Sequence, residues 1–274
     1  MKIILSRKGF DSANGGIVSP IMEDGTMISF PIPSKDKDSF DDLVYCNQSY
    51  AKILQDLKYK ENSEYPNCHV DPDLTLDRRK NRIDGWCPIF GQVNSSALYL
   101  ENTVKIKPGD LFLFFGNYHK VEFVDGKYQY IKKTGDFYSD NDLQVVWGYL
   151  QVGEIIRDAE AQRKYGWHPH SSETYTQHER SNTMFVARDK LSFNENLPGA
   201  GVLKYRQDRV LTAENCTKAT WVKRSIYDVD SVFGNRKNSS KIADGIYYAG
   251  IWQELGLHET PACEEWARTI IQEC

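Results

Sequence analysis

Two runs of apolar residues dominate the hydrophobic pattern of this chain. The first, Leu111–Phe115, follows a Pro-Gly-Asp turn signal, and the second extends from Val145 to Ile156. Both runs are too short, and too rich in β-branched and aromatic residues, to favour helices, so the pattern predicts buried strands. We therefore expect a small closed sheet at the centre of the molecule.

Further elements flank this sheet. Helical spacing of apolar residues predicts a helix over residues 39–58 with a serine N-cap, and residues 263–274 predict a closing helix. Residues 2–6 have the pattern of a strand, whereas residues 61–94 are polar, broken by proline and glycine, and typical of a long functional loop. The predicted fold class is α+β: a mixed or antiparallel β-barrel with flanking helices and long polar loops.

Composition narrows the class of protein. The 274 residues are 40% apolar and 26% charged, with a net charge of -4, which is the balance of a globular protein. That charge argues against coating of duplex nucleic acid, because such binding depends on neutralising several phosphates. No apolar stretch approaches the twenty residues needed to cross a bilayer, and the N-terminal apolar run is too short for a signal peptide. We expect a cytoplasmic protein without membrane contact.

The polar loop after the first strand carries the first candidate chemistry. It places Lys8, Asp11 and Ser12 close to Gly15 and Gly16, so a cation, a carboxylate and a hydroxyl lie near backbone that a ligand can approach closely. This combination suits recognition of phosphate or ribose, but it matches neither a Walker loop nor a Rossmann glycine motif. A surface turn capped by its own side chains explains the pattern equally well.

A second candidate is the segment from His69 to Asp73. In an extended chain His69, Asp71 and Asp73 point to the same side. One imidazole and two carboxylates together suit a divalent metal or acid/base catalysis. The alternative is that Asp-Pro-Asp only forms a turn.

Two further clusters complete the candidates. His168 and His170 have a spacing at which an extended peptide presents two imidazoles to one metal, although exposed loop histidines explain it as well. Residues 78–82 carry four cations, which suit either a phosphate contact or a solvated loop.

These segments occur in an order that resembles that of a known family, and the resemblance covers nearly the whole chain, from residue 3 to about 270. Read in sequence, they are similar to the third class of nucleotide modification associated domains, and the central strands resemble the core of PUA-like barrels of the EVE and ASCH type. The segments that carry the resemblance are Arg7–Ser12 with Gly15-Gly16, Ser19–Ile21, Pro31–Pro33, Cys68–Leu74, Phe90–Gln92, Gly109–Gly116, Gly148–Ile155, His168–His170 and Leu197–Gly201.

This resemblance implies a site at the mouth of a barrel. Asp11 becomes a general base or metal ligand, His69 a general acid/base, and Asp71 and Asp73 further acids or ligands, so that His69, Asp71 and Asp73 are the expected metal set. Lys8 is the expected phosphate contact. The expected substrate-binding residues are Lys8, Phe10, Ser12, Gly15, Gly16, Gln92 and His170.

The resemblance also implies a setting in bacterial or phage systems that modify nucleobases. Residues 1–274 are expected to form one domain with its PUA-like core at about 90–160. The implied function is modification or processing of a nucleotide, or of a base in nucleic acid, with a divalent metal as a possible cofactor. A non-catalytic reader of a modified or flipped base and a subunit of a modification complex, bound to partner proteins, remain the alternatives.

Overall fold

The chain folds into a mixed α+β structure, described here from a computed structural model for residues 1–176, 181–227, 231–234, 241–242, 245–248 and 252–272. Within these residues the strands are β1 (Ile3–Arg7), β2 (Ser19–Ile21), β3 (Ile32–Ser34), β4 (Val44–Tyr45), β5 (Gln48–Ser49), β6 (Asn67–His69), β7 (Ile89–Val93), β8 (Leu111–Val124), β9 (Lys127–Tyr130), β10 (Leu143–Ile156), β11 (Asn182–Ala187), β12 (Lys190–Leu191), β13 (Asn194–Pro198), β14 (Ala200–Val202), β15 (Thr220–Val222), β16 (Lys241–Ile242), β17 (Gly245–Tyr247) and β18 (Glu254–Leu257).

Helices are short and lie at the periphery of the strands. The α-helices of the described residues are α1 (Tyr50–Asp56), α2 (Asn94–Leu98), α3 (Phe137–Asp140), α4 (Ala159–Arg163), α5 (Glu173–Thr176) and α6 (Pro261–Ile271). A π-helical turn, Tyr99–Val104, continues α2, and 3₁₀ turns lie at Pro169–Ser171, Gln207–Arg209 and Ser225–Tyr227.

One large mixed sheet forms the centre of the described structure. Its main path runs β18-β1-β8-β10-β11-β7, and β2 and β9 add to β8 while β14 adds to β10. Strand β1 is parallel to β8, with Ile3 opposite Leu111, and antiparallel to β18. The two long strands β8 and β10 are antiparallel and contain the two apolar runs, which confirms that these runs are buried strands.

Aromatic side chains show that this sheet curls. Phe90 on β7 and Phe112 on β8 have ring centroids 4.8 Å apart, and Phe114 lies 5.1 Å from Phe90. In a flat sheet β7 and β8, three strand spacings apart on the path, would be separated by roughly 14 Å. The sheet therefore bends until the inward faces of β7 and β8 meet in the hydrophobic core.

The same bending brings the two ends of the path together. Gln92 on β7 donates from Nε2 to Glu254 Oε1 at the start of β18, and Gln253 Oε1 lies 3.5 Å from the same nitrogen. We call this contact of β7 with β18 through Gln92, Gln253 and Glu254 the seam. Among the described residues no backbone pairing joins β7 to β18, so the predicted closed barrel is not confirmed.

Two other sequence-based predictions need correction. The helix predicted over residues 39–58 begins only at Tyr50, with Ser49 as its N-cap, because Ser39 bonds Asp42 in a turn and the hairpin β4-β5 intervenes. The segment 61–94 is not a simple loop, since it contains β6 and β7. The closing helix is confirmed as α6, although its last two predicted residues lie outside the described residues.

Among the helices of the described residues, none combines the length and apolar character required for a transmembrane segment.

Candidate functional site

A cavity of about 440 Å³ opens beside the seam. Its walls come from the end of β1 and the loop after it, from β3 and β6, from β7, and from the segment that follows β10. The volume falls in the range of pockets that bind small molecules. Polar side chains from segments far apart in the sequence, among them Lys8, Asp71, His170 and Gln253, therefore converge at one place.

Three ionisable side chains from distant segments meet in this cavity. His69 ends β6, Asp71 follows it, and His170 belongs to the 3₁₀ turn after α4. One ring nitrogen of each histidine and one carboxylate oxygen all lie within 4.8 Å of one another. We call these residues the His-Asp-His cluster.

A hydrogen-bond network fixes the tautomer of His170. Gln162 Nε2 donates to two backbone carbonyls, so Gln162 Oε1 accepts from Asn182 Nδ2 at 2.8 Å. Asn182 Oδ1 then accepts from His170 Nδ1, also at 2.8 Å. Because Nδ1 carries the proton, Nε2 presents a lone pair, and it lies 4.0 Å from Asp71 Oδ2. Burial lowers the pKa of His170 to about 3, against the opposing charge of Asp71, so the ring is neutral at pH 7.

His69 is oriented in the same way by a carboxylate. Strand β3 pairs with β6 so that Ile32 lies opposite His69, and the turn after β3 brings Asp36 Oδ2 to 2.8 Å from His69 Nδ1. Burial acts to raise the pKa of Asp36, but the hydrogen bond with His69, together with the charge of His69 and the hydrogen bond from Ser34, holds this pKa below its usual range. His69 Nδ1–H therefore donates to Asp36.

Asp71 is a buried carboxylate held in its ionised form. Its side chain is 2% exposed, and Oδ1 accepts from the Gly91 N–H at 2.6 Å. His168 Nε2 lies 3.3 Å from the same oxygen, while His168 Nδ1 accepts from the His170 N–H. Burial acts to raise the pKa of Asp71, yet the contact with His168 and the charge of Lys8 hold it well below its usual range.

Gly91 permits the close packing of His170 on β7. A Cβ at this position would lie 2.3 Å from two atoms of the His170 ring. Only glycine leaves room for the imidazole directly over the strand. The segments Phe90–Gln92 and His168–His170 therefore pack together and form one wall of the cavity.

Lys8 links the cluster to the seam. Its Nζ lies 3.8 Å from Asp71 Oδ2 and 3.8 Å from Glu254 Oε1, and it lies over the Phe90 ring at 4.3 Å from the centroid. Glu254 is fully buried and also accepts from Ser6 Oγ at 3.1 Å. The ammonium group therefore lies between two carboxylates deep in the cavity.

The N-terminal loop contributes less than the sequence predicted. Asp11 lines the cavity, but its Oδ1 accepts from the Ala13 and Asn14 amides and its Oδ2 lies 3.6 Å from Arg7 Nη2. Phe10 packs in a buried aromatic cluster with Phe30. Beyond Asp11, three other residues predicted from this loop do not line this cavity: Ser12, Gly15 and Gly16.

Asp73 is the member of the predicted metal set that lies elsewhere. Its Oδ1 lies 3.1 Å from Arg78 Nη2, and its Oδ2 accepts from Arg79 at 2.7 Å and from Trp86 Nε1 at 3.0 Å. It does not line the cavity. Its predicted catalytic and metal roles have no geometric support, and the first two cations of the 78–82 segment are directed to Asp73 rather than displayed for phosphate.

Gln92, an expected substrate-binding residue, lines the cavity, but both ends of its amide have partners. Nε2 donates to Glu254, and Oε1 accepts from the Val93 N–H at 3.1 Å. Reading a base edge through this amide would require one of these bonds to open. Its position favours a structural contribution to the seam.

Two residues that orient the site carry no signal in the sequence. Asp36 and Asn182 orient the two histidines, and nothing in their local sequence distinguishes them from ordinary polar residues. Arg7 and Tyr175 also line the cavity, and Tyr175 stacks on His170 with centroids 4.6 Å apart.

Comparison with known proteins identifies the family but no specific activity. Neither the curated proteins nor the solved structures contain a match to this chain. The family model for nucleotide modification associated domain 3 matches residues 2–253, a range that includes every residue lining the cavity. The chain belongs to the nucleotide modification associated domain 3 family.

Proposed function

We propose that this protein binds a nucleotide, or a base turned out of a nucleic acid, in the cavity beside the seam and modifies or processes it. The observation that carries this proposal is the convergence of the His-Asp-His cluster in a cavity of about 440 Å³ in a member of a family associated with nucleotide modification. Clustered ionisable groups with shifted pKa values in a pocket are typical of reactive centres.

The rim of the cavity suits a phosphate group. Arg7 and Lys35 both line it, and their contacts with carboxylates are loose, at 3.6 Å to Asp11 and 3.8 Å to Glu64. Lys8 lies deeper between two carboxylates, so its predicted phosphate contact is better assigned to Arg7. A guanidinium fork also matches a phosphate more closely than an ammonium does.

Aromatic rings in the cavity suit a base. Tyr65 and Tyr175 line the cavity, and Tyr65 is 38% exposed. Stacking on such rings binds any base through its π-face. A nucleotide with its phosphate at Arg7 and its base against a tyrosine would place the intervening atoms near the His-Asp-His cluster.

The test measures binding and turnover separately. Thermal unfolding of the wild type is followed with nucleosides, nucleotides and short DNA and RNA oligomers, because a ligand at a hundredfold excess over its Kd stabilises by about 2.7 kcal/mol. Arg7→Met should weaken binding of the phosphate-bearing ligand while leaving its nucleoside unaffected, and Lys60→Met, which changes an exposed lysine outside the cavity, should bind like the wild type.

Turnover is followed by mass spectrometry of the bound nucleotide class after incubation. Asp71→Asn should abolish any new product and Asp11→Asn, which the sequence placed in the reaction, should reduce it. Absence of stabilisation by every ligand would overturn the proposal and favour a subunit of a modification complex. Binding without product in the wild type would favour a reader of a modified or flipped base.

We further propose that the curled sheet is a PUA-like barrel whose seam is closed by side chains. Its support is the contact of Gln92 with Glu254 and the meeting of Phe90 with Phe112 inside the sheet. In this proposal residues 1–274 form one domain, with the core at about 90–160.

A further inference from the structure

The His-Asp-His cluster has the donor set of a transition-metal site. It offers two imidazole nitrogens and one carboxylate oxygen within 4.8 Å of one another. Catalytic zinc sites hold the metal with three such protein ligands and leave a further position for water or substrate, and two histidines with one carboxylate also hold non-haem iron(II). Since ligand atoms around one such ion lie closer than 4.8 Å, small side-chain rotations must accompany binding.

Both imidazoles are already held for coordination through Nε2. Asp36 accepts from His69 Nδ1 and Asn182 accepts from His170 Nδ1, each at 2.8 Å. Metal-binding histidines almost always donate their other ring N–H to a carboxylate, carbonyl or water, which fixes the ring and its tautomer. The hydrogen bonds to Asp36 and Asn182 therefore orient the Nε2 lone pairs of both histidines toward the same cavity.

The alternative explanation, a buried acid/base cluster without metal, accounts for less of this geometry. A general base needs one imidazole with a carboxylate behind it, which His69 and Asp36 supply. It does not need a second neutral imidazole aimed at the same carboxylate by a separate Asn-Gln relay. His168 differs from the other two, because its Nδ1 accepts from the His170 N–H and its Nε2 lies 3.3 Å from Asp71 Oδ1; it is not one of the three residues whose donor atoms lie within 4.8 Å of one another.

Lys8 competes with a cation for Asp71. Its Nζ is 3.8 Å from Asp71 Oδ2, and two positive charges so close would repel each other. Glu254 Oε1, at the same distance on the other side, gives the ammonium a second carboxylate. A metal at the cluster therefore leaves Lys8 paired with Glu254.

We propose that His69, Asp71 and His170 bind one divalent first-row transition ion, zinc or iron(II), at the base of the cavity. The chemical role of this metal rests on the proposed function. In that function the ion would supply a Lewis acid or a redox centre next to the bound nucleotide. Asp36, Asn182 and His168 are its positioning residues. Asp73 is outside the donor set.

Metal binding is measured without nucleotide, so that it stands apart from the proposed function. Protein stripped with a chelator is titrated with Zn²⁺ by calorimetry, and Co²⁺ is added separately to record its visible absorption. One ion per chain is expected, with a Co²⁺ spectrum that reports nitrogen and oxygen ligands in a site of low symmetry. Asp71→Asn and His69→Gln should each weaken Zn²⁺ binding by at least a hundredfold.

Two further variants distinguish the orientation of the histidine ligands from the overall negative charge of the cavity. Asp36→Asn should weaken binding by about 10- to 100-fold, the range found when the partner behind a metal-bound histidine is lost. Asp11→Asn removes a carboxylate from the same cavity but not from the donor set, so it should bind Zn²⁺ like the wild type. Circular dichroism and urea unfolding identify any variant that has lost its fold.

The proposal is overturned if the wild type binds no stoichiometric ion, or if folded Asp71→Asn and His69→Gln retain wild-type affinity. It is also overturned if Asp11→Asn weakens Zn²⁺ binding as much as Asp71→Asn, because the cavity would then attract cations by charge alone. Failure of nucleotide binding with intact metal binding would instead refute only the proposed function.

Discussion

Asp71 and Asp73 stand two residues apart and face different surroundings. Asp71 opens into the cavity and pairs with His168 and Lys8. Asp73 exchanges backbone hydrogen bonds with Ile89 and directs its carboxylate to Arg78 and Arg79. Alternation in an extended chain predicted one shared face for both. Contacts with β7 decided otherwise, because Asp73 pairs with Ile89 through its backbone, whereas Asp71 accepts from the Gly91 N–H with its side chain.

This difference gives a test at the residue scale. Asp73→Asn should lower the free energy of unfolding by about 3–5 kcal/mol, because the buried Arg78 loses its counter-charge and Arg79 keeps only its contact with Asp38. Asp77→Asn, an exposed neighbour, should change it by less than about 0.5 kcal/mol. Urea unfolding at pH 7 measures both. Wild-type stability together with lost turnover in Asp73→Asn would restore the catalytic role that the sequence predicted for it.

At the scale of elements, the seam decides where the cavity lies. Strand β1 delivers Lys8 and strand β7 delivers Gln92 because the sheet bends until β7 reaches β18. Antiparallel and parallel pairings on the path position these strands, but only side chains bridge the two edges among the described residues. The geometry of the site thus depends on a few polar contacts at an otherwise open sheet edge.

The strength of the seam is measurable by a double-mutant cycle. Gln92→Leu and Glu254→Gln should each destabilise the fold, since a buried carboxylate loses a donor or a buried donor loses its charged acceptor. We expect a coupling energy of about 1–3 kcal/mol from urea unfolding of both single variants and the double variant. A coupling near zero would show that the two edges are held together by other contacts.

Over the whole molecule, long-range ion pairs make stability depend on pH. Asp142 lies before β10 and contacts His119 Nδ1 on β8 at 2.9 Å and Lys218 Nζ at 3.3 Å. Burial raises the pKa of Asp142, but the hydrogen bond with His119 and the charge of Lys218 hold it below its usual value. A carboxyl whose pKa is lowered by folding stabilises the fold above its unfolded pKa and loses this contribution as the pH falls through its folded pKa.

The expected pH profile follows from that sign. Asp142→Asn should lower the free energy of unfolding at pH 7 by about 1 kcal/mol, a modest value because this side chain is 42% exposed. The difference from wild type should persist above about pH 4, the usual unfolded pKa range, and shrink below it. Urea unfolding over a pH series measures the gap. Asp84→Asn, an exposed carboxylate, should show no such pH-dependent gap; a gap of equal size there would refute the assignment to Asp142.

The sequence predicted part of the site for a clear reason. His69 and Asp71 are close along the chain, so a short extended segment suffices to place them together. His170 was predicted from its spacing to His168 and from the family resemblance. Asp36 and Asn182 could not be found in this way, because their histidine partners lie 33 and 12 residues away in the chain.

Local pattern determined the strands β1, β8 and β10, the family, and the candidates His69, Asp71 and His170. These predictions follow from the local hydrophobic pattern, from turn residues and from the order of motifs, none of which depends on contacts between distant parts of the chain. The tertiary structure alone decided that Asp71 faces the cavity while Asp73 faces two arginines, and that Lys8 lies between two carboxylates. The positions of these side chains depend on the curl of the sheet and on the pairing of the chain at Asp73 with Ile89 of β7. A local pattern of residues does not encode either feature.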